Sequence, residues 1–323
     1  MKNKINKILV TGVGAIIGYG IINSLRKSEY PLKIFAMDIY ADAYGGTLAD
    51  KFMKAERADS PFFISFLNEI VKEYNIDLII TGIEQDLYKI FDNRAAINTK
   101  CVLNNQLCTD LSKSKLFTFE YLSNFKEIEL IPTLYQADFH TCSTLLGNPF
   151  LLKPISSYAS KGIQTIKNEE EFNFYTKKIS QQCVYQKIIG TIEQEYTVAV
   201  FGDGEGGFFD YIILKRQLSQ EGATNKAVLI EEDNSIFQYI TKLCNILKPV
   251  GPTNIQLRKE KDTVFLLEIN PRISSACSIR TAFGYNEPEM CIEYYLLNKK
   301  PIPRTKKRGT ALRYISDYIV VEQ

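Results

Sequence analysis

Three side chains capable of chemistry alternate in the stretch VFLLEINPRISSA, residues 264 to 276: Glu268, Asn270 and Arg272. In an extended chain residues two apart share a face, so Glu268 and Asn270 project together while Leu267 and Ile269 turn into the opposite layer. The preceding run NIQLRKEKD supplies a partner strand. A turn centred near Asp262 sets Gln256 opposite Glu268 and Asn254 opposite Asn270. One face of this hairpin then carries three or four hard oxygen ligands of the kind Mg²⁺ takes, with phosphate oxygens and water completing its octahedron. Pro271 ends the ladder and fixes the Arg272 cation beside that position. The plainer reading of the same residues is the polar, solvent-facing side of an amphipathic hairpin.

Lys153 is the one charge in PFLLKPI. A partly buried ammonium needs an anion, and a phosphate would serve, unless the stem simply carries the charge to the surface. The loop SSYASKG (156–162) follows, ending in Ser160, Lys161 and Gly162, and its small residues suit a backbone cradle over a polyphosphate. Gly12, Gly14 and Gly18, with Asp38 closing a second strand, offer a rival dinucleotide site. Their spacing is G-x-G-x-x-x-G, however, with Ile17 where the fingerprint needs glycine, and a glycine turn also lets helix and strand pack closely. His140 is the one histidine, which excludes any mechanism needing two, and its polar surroundings suit a surface or helix-cap role. The seven scattered cysteines form no C-x-x-C pair and read as buried thiols.

In order along the chain, K-P before a small-residue loop ending S-K-G, Q-K-x-x-G followed by E-Y-T-V, N-I-Q, and L-E-I-N-P-R-I-S together resemble the ATP-grasp superfamily. The likeness is to the branch containing the carbamoyl-phosphate synthase large-subunit domains and the amino-acid ligases similar to the pyrrolysine-pathway enzyme, and it spans nearly the whole chain. It implies a Rossmann-like pre-ATP-grasp domain (1–110), a small lid subdomain (111–186) and a large C-terminal subdomain (187–323). By position, Lys115 and Lys153 would hold ATP phosphates under Ser160, Lys161 and Gly162. Gln186, Lys187 and Ile188 would line the adenine, and Glu195 would take the ribose. Two extra residues between Gly190 and Glu195 leave Glu193 as a competitor for that role. Gln256, Glu268 and Asn270 would bind Mg²⁺, with Mn²⁺ as an alternative, and Arg272, acting with Lys153, would face the carboxylate or acyl phosphate. The implied activity is ATP-dependent ligation of a small carboxylate to an amine through an acyl phosphate, releasing ADP and phosphate. A nicotinamide-dependent oxidoreductase and a nucleotide-binding regulator without turnover are the alternatives, and the oligomeric state is open, a homodimer included.

These residues need a frame to hold them. Up to about residue 85 the pattern alternates strand and helix: KILVT, a glycine turn GVGAIIGYG, a helix IINSLRKS, then strands KIFAMD and DLIIT. Ser60 and Pro61 start an intervening helix whose rows are Phe62, Phe66, Ile70 and Tyr74, joined by Phe63, Leu67 and Val71. Such βαβ order implies a parallel sheet. From Asp110 the pattern changes to a helix over LSKSKLFTFEYLSN and strands joined by hairpins, so the fold class is α/β followed by α plus antiparallel β. The 323 residues, 45% hydrophobic and 24% charged, suffice for two or three compact units. A net charge of +2 favours neither nucleic acid nor membrane as partner. With no apolar run near the ~18 residues of a membrane span and no signal-type core, the chain reads as cytoplasmic.

Overall fold

The apolar run KILVT forms β1 (Asn6–Thr11), followed by α1 (Ile16–Leu25), β2 (Leu32–Asp38), β3 (Lys51–Lys54), α2 (Phe63–Tyr74), β4 (Leu78–Thr81), α3 (Glu84–Asp92) and β5 (Lys100–Cys101). The five strands lie parallel in the order β3-β2-β1-β4-β5. The computed structural model describes residues 5–156, 162–179, 182–219 and 224–319. Three details differ from the sequence expectation. Strands β3 and β5 are additional, since KFMK carries only two apolar residues between lysines and β5 is two residues long. Helix α1 starts within the stretch expected to be a turn and buries Gly18 and Gly20. Helix α2 begins at Phe63, since the Ser60 hydroxyl accepts from Phe62 N and holds Pro61 and Phe62 in the preceding turn. Its core row is accordingly Phe63, Leu67, Ile70 and Val71, while Phe62 stays exposed.

The single helix expected over 111–124 is two, α4 (Gln106–Lys113) and α5 (Lys115–Leu122). Ser114 between them is extended, and its hydroxyl accepts from Phe117 N at 3.2 Å, so it caps α5 and stops α4 from running on. Next come β6 (Thr133–Tyr135), α6 (Phe139–Leu146), β7 (Phe150–Pro154), β8 (Gln164–Ile166), α7 (Glu169–Lys178) and β9 (Cys183–Lys187). Their four strands form an antiparallel sheet, β6-β9-β7-β8, whose core of Phe150, Leu152, Ile166, Phe172 and Tyr185 is covered by α6 and α7. His140 is exposed in the first turn of α6, which Asp138 caps.

The last sheet holds β10 (Glu195–Asp203), β11 (Phe208–Leu218), β12 (Thr224–Ile230), β13 (Val250–Glu260), β14 (Thr263–Asn270) and β15 (Thr310–Leu312), in the order β14-β13-β10-β11-β12-β15 and antiparallel throughout. Helix α8 (Asn234–Leu247) precedes β13, and α9 (Cys277–Ala282) and α10 (Glu287–Cys291) follow β14. The continuous run TVAVF explains itself in β10, a central strand buried on both faces. Val198 and Val200 pack with Ile240 and Leu243 of α8, while Ala199 and Phe201 join Ile21 and Ile22 of α1 and Met290 of α10. One continuous core therefore binds the parallel sheet to the six-stranded one, each such side chain contributing about 1.5–3 kcal/mol. All seven cysteines are free thiols, six of them buried. Among the described residues no helix is long and apolar enough to cross a membrane.

Candidate active site

The β13–β14 hairpin turns at Lys261 and Asp262, Lys261 taking a φ of 55°. Its register pairs Gln256 with Glu268 and Asn254 with Asn270, as the sequence predicts. All four side chains nevertheless have different employments. Asn254 is 1% exposed, and its Oδ1 accepts from Arg280 Nη2 and Thr197 Oγ1, both at 2.6 Å, so it belongs to the support beneath the site. Arg280 continues into a fully buried ion pair with Glu287. Gln256 Oε1 accepts from Arg216 Nη2 at 2.8 Å, and Asn270 Oδ1 accepts from Arg272 Nη2 at 3.2 Å. Glu268 forms no ion pair with an arginine among the described residues and lies half-buried in the cleft wall. Burial and the neighbouring Glu84 push its carboxyl up, against the pull of Lys115, Arg272 and the Asn270 amide.

Facing the hairpin, β7 brings Lys153 into the same cleft. Lys153 is 9% exposed, and its ammonium donates to Gln186 Oε1 at 2.5 Å, while Gln186 in turn donates to Thr133 Oγ1 at 3.0 Å. Burial, with help from the Lys115 and Arg258 cations, brings the Lys153 pKa down to about 8, although Glu268 and Glu195 oppose that shift. Lys115, the first residue of α5, is aimed by its Ser114 cap into the same space. Its pKa is also lowered, chiefly by burial, with Glu268 and Glu84 pulling the other way. The cleft encloses about 350 Å³. Its walls include the apolar Ile131, Leu151, Ile163, Ile189 and Leu267, and its polar rim includes Lys187, Glu195 and Arg258. Apolar walls around convergent polar groups are the usual make-up of a small-molecule site.

Of the residues expected at a nucleotide, Gln186 and Lys187 line this cleft, whereas Ile189 rather than Ile188 supplies the apolar side chain next to them. Glu195 is 5% exposed and already paired with two guanidinium groups, Arg216 and Arg258. Glu193 is exposed on the short turn before β10. Gly162 has a φ of 78°, and a Cβ there would stand 2.8 Å from Pro154 Cγ, so both conformation and space call for glycine. Ser160 and Lys161 lie outside the described residues. The N-terminal glycines have a packing explanation: a Cβ on Gly18 would fall 2.3 Å from Gly12 O. Asp38, 7% exposed, accepts from Gly14 N at 2.7 Å and is thus spent on the turn itself.

Three side chains beside the cleft were given no individual role by the sequence. Arg216, 6% exposed, joins Glu195 to Gln256 from β11, and its position inside the apolar run IILKR is the kind of signal that singled out Lys153. Glu84 opens α3 and pairs with Arg272 across the molecule. Tyr88, one turn further along α3, has its hydroxyl 3.0 Å from Ser112 Oγ. The signal for both was their place just after β4, because ligands of parallel sheets gather where neighbouring connections diverge, here between β1 and β4.

A five-stranded parallel sheet, a four-stranded antiparallel sheet and a six-stranded antiparallel sheet, with two lysines facing an E-x-N-x-R strand end across a cleft, make up an ATP-grasp fold. More particularly, residues 191–318 match the family described as ATP-grasp in the biosynthetic pathway with Ter operon. The chain is similar to N5-carboxyaminoimidazole synthetase from Staphylococcus aureus complexed with ADP, with a TM-score of 0.72, 17% identity, and coverage of 95% of this chain and 82% of that one. Among curated proteins it is similar to a formate-dependent phosphoribosylglycinamide formyltransferase of Prochlorococcus marinus (strain NATL1A), 25% identical over 173 residues, or 51% of this chain and 41% of the relative. It is also similar to the carbamoyl phosphate synthase large chain of Thermotoga sp. (strain RQ2), 26% identical over 195 residues, or 51% of this chain and 17% of the relative. The chain thus spans less than half the length of these curated relatives.

Proposed function

We propose that this protein is an ATP- and magnesium-dependent ligase that activates a small carboxylate as an acyl phosphate and transfers the acyl group to an amine, giving an amide, ADP and phosphate. The observation that carries the reading is the convergence of Lys115, Lys153 and Glu268 on one cleft, with Arg272 closing the same strand end. In this reading the chain divides at about residues 110 and 186, with the nucleotide between the second and third parts. Lys115 and Lys153 hold phosphate oxygens, and an anion beside Lys153 restores the proton that burial loosens. The apolar walls take the adenine, and the ribose falls to the exposed Glu193 or to Glu195 if it loosens from its arginines.

Glu268, with the amide oxygens of Gln256 and Asn270, would hold Mg²⁺ or Mn²⁺. The donor set fits a hard cation, since Glu268 is the acid that no arginine neutralises among the described residues, and each amide oxygen has a second lone pair beside the one an arginine uses. Such an ion would offset charge on the phosphate oxygens. Arg272, held by Asn270 Oδ1 and Ile273 O, stands ready to stabilise the acyl phosphate. Positioning and fixed charge supply the acceleration, so no side-chain nucleophile is required. A phosphate-release screen with Mg-ATP and a panel of carboxylates and amines tests the reading. Formate belongs in that panel because one relative is named for its dependence on it. Phosphate release should require one carboxylate, and amide formation one amine; reduction of a nicotinamide cofactor instead would overturn the assignment.

A further inference from the structure

Arg272 is already neutralised by a carboxylate of the chain itself. Its Nη2 donates to Glu84, which lies 188 positions away at the start of α3. The guanidinium does not depend on Glu84 for its place, because it also donates to Asn270 Oδ1 at 3.2 Å and to Ile273 O at 3.1 Å. Its Nε is buried without a partner among the described residues, so the group has capacity for a further acceptor. Helix α3 cannot withdraw as a body: Leu87 and Ile90 are buried, the Tyr88 hydroxyl meets Ser112, and Lys113 Nζ lies 5.0 Å above the Tyr88 ring. Glu84 itself is 24% exposed at the helix start, so its side chain is free to rotate away while the helix stays.

We infer that Glu84 is an internal stand-in for the substrate carboxylate. It occupies Arg272 until a carboxylate substrate displaces it, and it acts as a positioning residue through that ion pair. The inference rests on the ligase reading and adds to it a rule for when ATP is spent. A tethered carboxylate competes at an effective concentration of roughly millimolar, so an incoming carboxylate must exceed that level or bind additional contacts. Water, which is neutral, pairs with a guanidinium far less strongly than a carboxylate does and cannot evict Glu84. Idle hydrolysis, in which the γ-phosphoryl passes to a water oxygen and the water's proton to solvent with release of ADP and phosphate, is thereby held down. Glu84→Gln preserves shape and leaves Arg272 charged and uncompensated.

The test compares the parent, Glu84→Gln and Glu84→Asp, whose carboxylate is one methylene shorter. ADP release from Mg-ATP is followed first without any carboxylate and then across a sodium acetate titration, while calorimetry reports Mg-ATP binding. Glu84→Gln is expected to raise idle ADP release about tenfold and to respond to acetate at about tenfold lower concentration than the parent, because acetate no longer competes with a tethered rival. Glu84→Asp should move both readouts the same way by a smaller factor, and it decides the matter if the glutamine variant does not fold. Unchanged idle release and an unchanged acetate response, with Mg-ATP binding intact, would overturn the stand-in role alone. Failure of the parent itself to bind Mg-ATP would overturn the ligase reading as well.

Discussion

Lys153 and Glu268 face each other with pKa values displaced in opposite directions, Lys153 downward to about 8 and Glu268 upward, and both displacements begin with burial. Lys153→Met keeps the stem and deletes the ammonium, so the protein should fold while its Mg-ATP affinity falls by ~1.5–3 kcal/mol, the cost of a charged hydrogen bond. Calorimetric titration checks this, and unaltered affinity would return Lys153 to the role of a lysine reaching for solvent. The same shift predicts a pH dependence. Between about 8 and the ordinary 10.5 the unfolded chain still holds a proton that the folded chain has released, so the stability of the nucleotide-free protein should rise with pH through that window and not below it. Melting curves of the parent should show this rise relative to Lys153→Met; parallel curves would contradict it. For Glu268 the sign is reversed. A raised folded pKa means stability is present below about 4.5 and is lost as pH climbs through the folded value, so ionising this carboxyl costs the fold stability. Glu268→Gln should therefore melt no lower than the parent while losing turnover by on the order of 10²-fold or more, the pattern of a residue kept for function.

Among the elements, the hairpin was legible from its two alternating runs, but its tip alone would set Gln256 opposite Leu267; the register shifts by one residue between Gln256 and Leu257, and that bulge brings Gln256 opposite Glu268 and Asn254 opposite Asn270. The break between α4 and α5 was not, although its cause is local. Ser114 sits in a run of good helix formers, and only its extended backbone shows that it caps one helix rather than continuing another. That cap also aims Lys115, which gives it two measurable roles. Ser114→Ala should lower stability by about 0.5–2 kcal/mol and weaken Mg-ATP binding too, whereas a cap with no part in the site would change only the melt. The glycines of the first turn illustrate a motif whose packing role outranks its chemical one. Gly18→Ala would drive a Cβ toward Gly12 O and Val13 Cα, so it should cost roughly 1–3 kcal/mol in denaturant unfolding. Mg-ATP affinity measured on the folded fraction should be unaltered, since that turn lies in the parallel sheet and not in the cleft.

At the scale of the whole molecule, the change from parallel to antiparallel architecture could be read from local periodicity, but the meeting of Glu84 with Arg272 could not, because no local pattern reports which of two sheets' edges will touch. Their meeting follows from the shared core: α1, α9 and α10 bury their apolar faces between the parallel sheet and the six-stranded one, which brings the end of β4 against the end of β14. Arg272 therefore belongs to the junction as much as to its strand, near Glu268 and outside the lining of the cleft whose apolar walls would hold adenine. Its removal should hurt chemistry more than nucleotide binding. With the right carboxylate and hydroxylamine in place of the amine, the parent should trap a hydroxamate with ADP and phosphate released in equal amounts. Arg272→Ala should bind Mg-ATP within a few-fold of the parent yet form hydroxamate on the order of 10²-fold more slowly, the scale on which a fixed donor at a developing charge is felt. Release of AMP and pyrophosphate by the parent would indicate adenylation and remove Arg272 from this role, and an arginine variant that lost nucleotide binding and chemistry together would make it a support for the cleft and not for the acyl phosphate.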